Sequence, residues 1–144
     1  MTNQTNHINK TAIITGASRG IGAAIAKKLA SCGYNLSLCC RNSSDRLNTL
    51  ADELHCAYGI EVLCYTGNVG DFFFAKDMVT NTISHFGHID VLINNAGISH
   101  IGLLSDMTPE EWNNIVAINL TGVFNFTKPV SYTHLRAHET LRHL

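Results

Sequence analysis

The sequence predicts an α/β protein with a doubly wound parallel sheet, of which the chain holds the N-terminal portion. Three observations support this. Short apolar segments alternate with helix-length amphipathic segments, and this alternation requires crossovers between parallel strands. The apolar segments carry few charges, which favours burial of both sheet faces. The glycine-rich stretch Thr15–Gly22 joins the first apolar segment to the first helical segment.

Each predicted element has its own local signal. Apolar runs predict four strands, at Thr11–Thr15, Asn35–Cys40, Ile60–Tyr65 and Ile89–Ile93. Apolar residues at helical spacing, with glycines at the helix ends, predict the first three helices. Those helices run from about Gly20 to Cys32, from Ser43 or Ser44 to near Gly59, and from Asp71 to Phe86. A fourth begins at the capping box Thr108–Glu111 and continues towards Val130.

The composition describes a single domain of low net charge. The chain has 144 residues, of which 45% are hydrophobic, and a formal net charge of −1. This charge argues against nucleic acid or an anionic membrane as a partner. The polar N-terminus lacks the apolar core of a secretory signal, and no apolar run reaches the length of a membrane span. We therefore expect a cytoplasmic protein.

The cysteines predict neither disulfides nor a metal site. They contain no C-x-x-C pair and fall within predicted strands and helices, so we expect small buried hydrophobic residues in a reducing compartment. The five are Cys32, Cys39, Cys40, Cys56 and Cys64.

The stretch Thr15–Gly22 has the chemistry of an anion site. The first N–H groups of a helix have no intrahelical partner, and the helix dipole favours negative charge there. Glycine lets the backbone approach a phosphate closely. The glycines at positions 16, 20 and 22 depart from the usual G-x-G-x-x-G dinucleotide spacing. Alone, the stretch fits either an anion site or a simple tight turn.

Two further motifs extend this pattern. Asn94-Asn95-Ala96-Gly97 follows the fourth strand, and Asn119-Leu120-Thr121-Gly122 lies in the next helix. Together with Thr15–Gly22 they resemble, in order and spacing, the motifs of the short-chain dehydrogenase/reductase family, most closely its 3-oxoacyl-acyl-carrier-protein reductase-like branch. The resemblance covers about residues 10–130. It implies a Rossmann-like NAD(P)-binding domain, incomplete here, over residues 11–130.

The resemblance also implies which residues contact the cofactor. The glycine turn would lie against the pyrophosphate, the residues after the third strand beside adenine, and those after the fourth strand along the ribose wall. The implied set is Gly16, Ser18, Arg19, Gly20, Ile21, Gly22, Arg41, Asn68, Val69, Asn95, Ala96 and Gly97, with Asn94 also shaping the wall. Asn68 stands where the family commonly has aspartate, and it offers the same acceptor oxygen. Taken alone, Asn94–Gly97 is equally a strand-ending turn.

Charge at the end of the second strand indicates the cofactor. NAD-binding folds usually place an acidic residue there to hold the ribose 2′-hydroxyl. This sequence has Arg41, and its first acid is Asp45. Arg41, with Arg19 from the glycine turn, suits a 2′-phosphate, because guanidinium groups bind phosphate bidentately. We predict NADP(H) over NAD(H); the alternative is two solvated arginines.

The catalytic set is incomplete in this sequence. Asn119 matches the family asparagine that supports a water-linked proton relay to the catalytic lysine; the alternative is a polar residue that bends the helix. An inward amide on an apolar helix face favours the functional role. The resemblance places the family's serine and Tyr-x-x-x-Lys motif beyond the end of this chain. We expect no metal site.

The two ends of the chain fall outside the predicted domain. Residues 1–10 read as a flexible lead-in. Residues 131–144 contain three histidines and two arginines where a fifth strand is due. This stretch is similar to the translated read-through of a sequencing-library adapter, and we predict a non-native tail.

The resemblance implies an NADPH-dependent carbonyl reductase that transfers hydride to a ketone, with a 3-oxoacyl thioester or similar small molecule as substrate. The full-length protein would form a homo-oligomer and bind neither nucleic acid nor membrane. The alternative is an NADP(H)-binding module without catalysis. We expect this fragment to be inactive, with its fourth strand left as an open sheet edge.

Overall fold

The computed structural model describes residues 8–139. The strands are β1 (Thr11–Thr15), β2 (Asn35–Cys40), β3 (Val62–Thr66) and β4 (Val91–Ile93). The helices are α1 (Gly20–Ser31), α2 (Ser44–Tyr58), α3 (Phe72–Phe86), α4 (Pro109–Val116) and α5 (Gly122–Glu139). A 3₁₀ turn spans Leu104–Asp106, and a π-helical turn spans Ala117–Thr121 between α4 and α5. The predicted alternation of strands and helices is confirmed.

The four strands form one parallel sheet in the order β3-β2-β1-β4. The chain moves outward from β1 to β3 and then returns to the other side of β1, where β4 pairs with it. The strand order therefore reverses between β1 and β4. In open α/β sheets, ligands bind outside the carboxyl ends of the strands at this reversal. Within residues 8–139, β4 is an edge strand, as expected for the first part of a doubly wound sheet.

Side chains of alternate strand residues form two cores, one on each face of the sheet. Ile14 and Leu38 face α1 and α2, where they pack with Ala26 and Leu47. Ile13 lies on the opposite face and packs with residues of α3 and α5. Burial of successive strand residues on both faces explains why β1 and β2 read as apolar runs, because neither face is left for polar side chains. The doubly wound architecture is thus confirmed.

Two strands begin two residues later than the sequence predicts. Ile60 and Ile89 are buried, but each lies just before the strand that it was predicted to start. The Ile60 carbonyl lies 2.8 Å from His55 Nδ1, and the Glu61 N–H donates to Asn35 Oδ1 at 3.0 Å. Before β3, side chains therefore take up these backbone groups, whereas before β4 the Asp90 N–H already donates to the Thr11 carbonyl at 2.8 Å. Apolar burial alone does not mark where strand pairing starts.

The predicted capping box is present at the start of α4. The Glu111 N–H donates to Thr108 Oγ1 at 3.2 Å, and the Thr108 N–H donates to Glu111 Oε2 at 2.8 Å. This hydrogen bond from the Thr108 backbone, together with nearby His100, lowers the pKa of Glu111. The helix then passes through the π-helical turn into α5 rather than running as a single α-helix.

The predicted domain boundaries lie near residue 10 and at Val130. Most of the lead-in at residues 1–10 lies outside the described residues. Helix α5 passes through the predicted boundary at Val130 and continues to Glu139. Residues 140–144 lie outside the described range, and the non-native origin of residues 131–144 stays a prediction. Across the described residues, no helix has both the length and the apolar character needed to cross a membrane.

The cysteines are free, but the expectation that all are buried is wrong. Cys32 and Cys56 are exposed, because they lie at the outer ends of α1 and α2. Cys39 is buried, and burial raises the pKa of its thiol to about 12; Cys64 is partly buried, and burial raises its pKa to about 11. Thiolates are the reactive species, so exposed cysteines react before buried ones whose pKa is raised.

We therefore expect iodoacetamide at pH 8 to alkylate Cys32 and Cys56 rapidly in the folded chain. Cys39, Cys40 and Cys64 should react only after denaturation, because burial excludes the reagent from Cys39 and Cys40, and raised pKa values keep Cys39 and Cys64 protonated. Peptide mass spectrometry at timed intervals measures this order. Modification of Cys39 as fast as Cys32 would contradict the packing of β2.

Candidate functional site

A cleft of about 650 Å³ opens at the carboxyl ends of the strands, where the strand order reverses. Five segments line it: the glycine turn after β1, the end of β2, the turn after β3, the loop after β4 and the π-helical turn. Two arginines and no carboxylates are among its lining residues. The cleft therefore favours an anion. Cys39, also in the lining, stays a neutral thiol because burial raises its pKa to about 12.

The glycine turn presents a helix N-terminus to this cleft. Arg19 is the N-cap residue of α1, no side chain caps the helix, and its first turn has no acidic residue. Gly16 and Gly20 have φ values of +65° and +57°, a backbone region that L side chains rarely adopt. The uncapped N–H groups can therefore meet a bound phosphate. Ser18 and Ile21 also line the cleft here.

Gly22 has a different role from its neighbours. It is buried and does not line the cleft. A methyl group at Gly22 would overlap the Gly16 carbonyl oxygen and come within 2.6 Å of Asn95 Nδ2. Glycine at this position thus allows α1 to pack closely against the turn and the end of β4.

Thr15 and Asn95 fasten the glycine turn to the loop after β4. Thr15 Oγ1 accepts hydrogen bonds from the N–H groups of Asn95 and Ala96, both at 3.0 Å. Asn95 Nδ2 lies 3.1 Å from the carbonyl oxygens of Thr15 and Gly16. Two walls of the cleft are therefore joined by direct hydrogen bonds. Sequence reasoning selected Asn95 for its motif and included Thr15 in the glycine-turn motif, but it gave the Thr15 hydroxyl no role.

Two arginines, Arg19 and Arg41, line the cleft. Arg19 belongs to the turn after β1, and Arg41 follows the last residue of β2. Both are exposed, and each lines the cleft. Asn42 and Ser43 follow Arg41 in the lining, and sequence reasoning gave neither a role in cofactor binding. Their polar side chains add hydrogen-bonding capacity beside the two cations.

The residues after β3 divide between two positions. Val69 lines the cleft, whereas Asn68 does not. Asn68 Oδ1 accepts a hydrogen bond from the Gly70 N–H at 2.9 Å, so the acceptor predicted to meet adenine is already engaged in the turn. The Val69 carbonyl accepts from the buried amide Nδ2 of Asn125 at 2.9 Å. Asn125 is a second residue that sequence reasoning missed, because its partner lies 56 positions away.

Asn119 holds the loop after β4 rather than projecting into an apolar core. Its Oδ1 accepts from the Ile98 N–H at 2.8 Å, and its Nδ2 donates to the Ile98 carbonyl at 2.7 Å. Asn119 is exposed, and it does not line the cleft. The inward orientation expected for this side chain is therefore wrong, because both polar atoms of the amide are engaged in a structural clamp. The catalytic role of Asn119 stays a prediction. Its backbone belongs to the π-helical turn.

The remaining predicted residues follow β4. Asn95, Ala96 and Gly97 line the cleft. Asn94 does not line it, and its Nδ2 instead donates to Thr127 Oγ1 on α5 at 3.3 Å. The cleft thus brings together ten of the twelve predicted cofactor-binding positions, while Gly22 and Asn68 support it from behind.

Comparison with known proteins identifies the family to which the chain belongs. The family model for short chain dehydrogenases matches residues 10–139. The chain belongs to the short-chain dehydrogenase family. It is 41% identical over 129 residues to the 3-oxoacyl-[acyl-carrier-protein] reductase FabG of Staphylococcus epidermidis, covering 90% of this chain and 52% of that protein. It is 36% identical over 123 residues to the acetoacetyl-CoA reductase of Rhizobium meliloti, covering 85% and 48%.

Solved structures of the family share the same arrangement. An alcohol dehydrogenase from the archaeon Thermococcus sibiricus, complexed with 5-hydroxy-NADP, matches with a TM-score of 0.79 and 38% identity over 84% of this chain and 51% of that one. A metagenomic short-chain oxidoreductase in complex with NADP matches with a TM-score of 0.83 and 33% identity, covering 89% and 57%. The chain spans about half the length of the curated relatives it matches.

Proposed function

We propose that the complete short-chain dehydrogenase is an NADPH-dependent carbonyl reductase. The observation that carries this proposal is the cleft itself, in which an uncapped helix N-terminus and two arginines face a space without carboxylates. That combination suits a dinucleotide with an additional phosphate. When bound, the cofactor supplies the hydride that reduces a ketone.

The residues of this chain bind and orient the dinucleotide. The N–H groups at the start of α1 meet the pyrophosphate, and Arg19 and Arg41 hold the 2′-phosphate. Val69 and Ile118 give the cleft an apolar wall against which a base can lie. The Thr15–Asn95 hydrogen bonds keep the turn and the β4 loop at a fixed separation.

The cofactor choice can be tested at Arg41. Arg41→Asp should reverse the preference for NADPH over NADH, with NADPH affinity falling about tenfold, because a charge-assisted phosphate contact is replaced by repulsion. Equilibrium dialysis of both reduced cofactors measures the change. Arg46→Asp is the matched control, since Arg46 is an exposed arginine on α2 away from the cleft lining. An unchanged NADPH preference in Arg41→Asp would reject the NADP(H) proposal.

For the substrate, we propose a 3-oxoacyl thioester or a similar small ketone. Support comes from the relatives, a 3-oxoacyl-acyl-carrier-protein reductase and an acetoacetyl-CoA reductase. The test is to read the gene beyond Val130, express the complete protein and follow NADPH oxidation with acetoacetyl thioesters. A complete gene that lacks the family's catalytic serine and Tyr-x-x-x-Lys motif would instead favour the second candidate, a cofactor-binding module without catalysis.

The 144-residue chain itself is proposed to be inactive. None of its four tyrosines is followed four positions later by lysine, so it lacks the proton donor that the family motif supplies.

We also propose a cytoplasmic location, which suits five free cysteines. Oligomerisation of the complete protein is proposed as well, and exposed apolar residues on the helices after β4, among them Trp112 and Phe124, are suited to a subunit contact.

A further inference from the structure

Gly67 lies against the ring of Phe74 at the wall of the cleft. Gly67 follows β3 and lines the cleft, whereas Phe74 is the third residue of α3. A methyl group built on Gly67 would lie 2.8 Å from Phe74 Cγ and closer still to one edge of the ring. The ring therefore occupies the space that a side chain at position 67 would need.

Neither partner is free to move away. Phe74 packs edge-to-face on Phe126, with ring centroids 6.4 Å apart and planes at 75°, and Phe126 is completely buried. On the other side, the Gly67 N–H donates to the Cys40 carbonyl at 3.0 Å, which ties the backbone to the end of β2. The ring and the sheet thus hold the Gly67 backbone between them.

The rest of the turn after β3 is equally constrained. The Asn125 amide holds the Val69 carbonyl, and a methyl group on Gly122 would lie 2.9 Å from Val69 Cγ2. Helix α5 therefore supports the turn from below while Phe74 supports it from α3. The backbone of Gly67 has only the cleft side open to it.

We propose that Phe74 is a positioning residue that acts through Gly67 to set the width of the base-binding part of the cleft. This inference rests on the proposed NADP(H) function. The apolar wall at Val69 and Ile118 is the part of the cleft suited to an aromatic base. A larger residue at position 67 pushes the backbone into that space, and a smaller residue at position 74 lets it retreat.

Four forms of the complete protein, expressed from the gene read beyond Val130, test this: unaltered, Gly67→Ala, Phe74→Leu, and the double variant. The measurement is the ratio of the dissociation constant of 1,N6-etheno-NADP, whose base carries an extra ring, to that of NADP. This ratio is independent of the fraction of molecules that are folded. Phe86→Leu is the control, because Phe86 is a partly buried phenylalanine at the far end of the same helix.

Gly67→Ala should raise the ratio about fivefold, and Phe74→Leu should lower it about twofold. The double variant should bring the ratio back to within about twofold of the unaltered value. A full reversal of the fivefold change is worth roughly 1 kcal/mol. Phe86→Leu should leave it unchanged. An equal ratio in all four forms, or a double variant no better than Gly67→Ala, would overturn the inference. If Gly67→Ala does not fold, an unchanged ratio in both Phe74→Leu and the double variant overturns it. No NADP binding by the unaltered complete protein would instead reject the proposed function.

Discussion

Gly22→Ala should destabilise the chain by about 3 kcal/mol, although alanine favours helix formation by about 1 kcal/mol relative to glycine. The added methyl group would overlap the Gly16 carbonyl oxygen and lie 2.6 Å from Asn95 Nδ2. Neither atom is the loose end of a flexible side chain, because Asn95 Nδ2 is itself hydrogen-bonded to the β1 turn. The overlap therefore outweighs the gain in helix propensity. Urea denaturation followed by circular dichroism measures the free energy of unfolding.

Gly20→Ala is the matched control for this substitution. A methyl group on Gly20 meets no atom within 4 Å, so its cost comes only from the φ value of +57°. We expect a loss of about 1 kcal/mol. If Gly22→Ala were as stable as Gly20→Ala, the close packing of α1 on the turn would be wrong. Gly22→Ala should also weaken NADPH binding among the molecules that remain folded, because the turn must shift to accept the methyl group.

Thr15→Val should cost about 2 kcal/mol of stability and weaken NADPH binding about tenfold. Valine keeps the shape of threonine but removes the oxygen that accepts from the N–H groups of Asn95 and Ala96. The Asn95 N–H retains the Ile93 carbonyl at 3.1 Å, whereas no second acceptor is seen for the Ala96 N–H in the described part of the chain. Because Ala96 lines the cleft, its release should affect binding as well as folding.

Thr15→Ser and Thr11→Val separate the hydroxyl contribution from packing. Thr15→Ser keeps the acceptor oxygen and should cost about 1 kcal/mol for one lost methyl group. Thr11 is buried on the same strand, but its Oγ1 has no hydrogen-bond partner among the described residues. Thr11→Val should therefore be neutral or stabilising. Equal losses for Thr15→Val and Thr11→Val would show that the Thr15 hydroxyl does not brace the cleft.

Local sequence signals predicted the features that depend on neighbouring residues. The capping box at Thr108 and Glu111 is formed as expected, because both hydrogen bonds span only three positions. The glycine turn and the helix start that follows it were likewise predictable from the sequence, since chain connectivity alone places a helix N-terminus after β1. The strand starts were less accurate, because Ile60 and Ile89 are apolar and buried without pairing as strands.

Asn119 shows where motif reasoning required correction. The motif located the residue, but the predicted inward amide is an exposed side chain that clamps the backbone of Ile98. The sequence contains nothing that pairs these two residues, which lie 21 positions apart. An amide can serve either as a relay or as a clamp, and the choice depends on which backbone groups the fold brings within its reach.

The sequence by itself determined the class of fold, the order of its elements and ten of the residues that line the cleft. It did so because strand and helix periodicity and glycine turns are properties of adjacent residues. Only the tertiary structure decided how the segments around the cleft meet: that Thr15 braces Asn95 across 80 positions, that Gly22 makes room for Asn95, and that Phe74 fills the space beside Gly67. These contacts depend on which strands become neighbours in the sheet, and β4 lies beside β1 only after the chain has reversed its direction of winding.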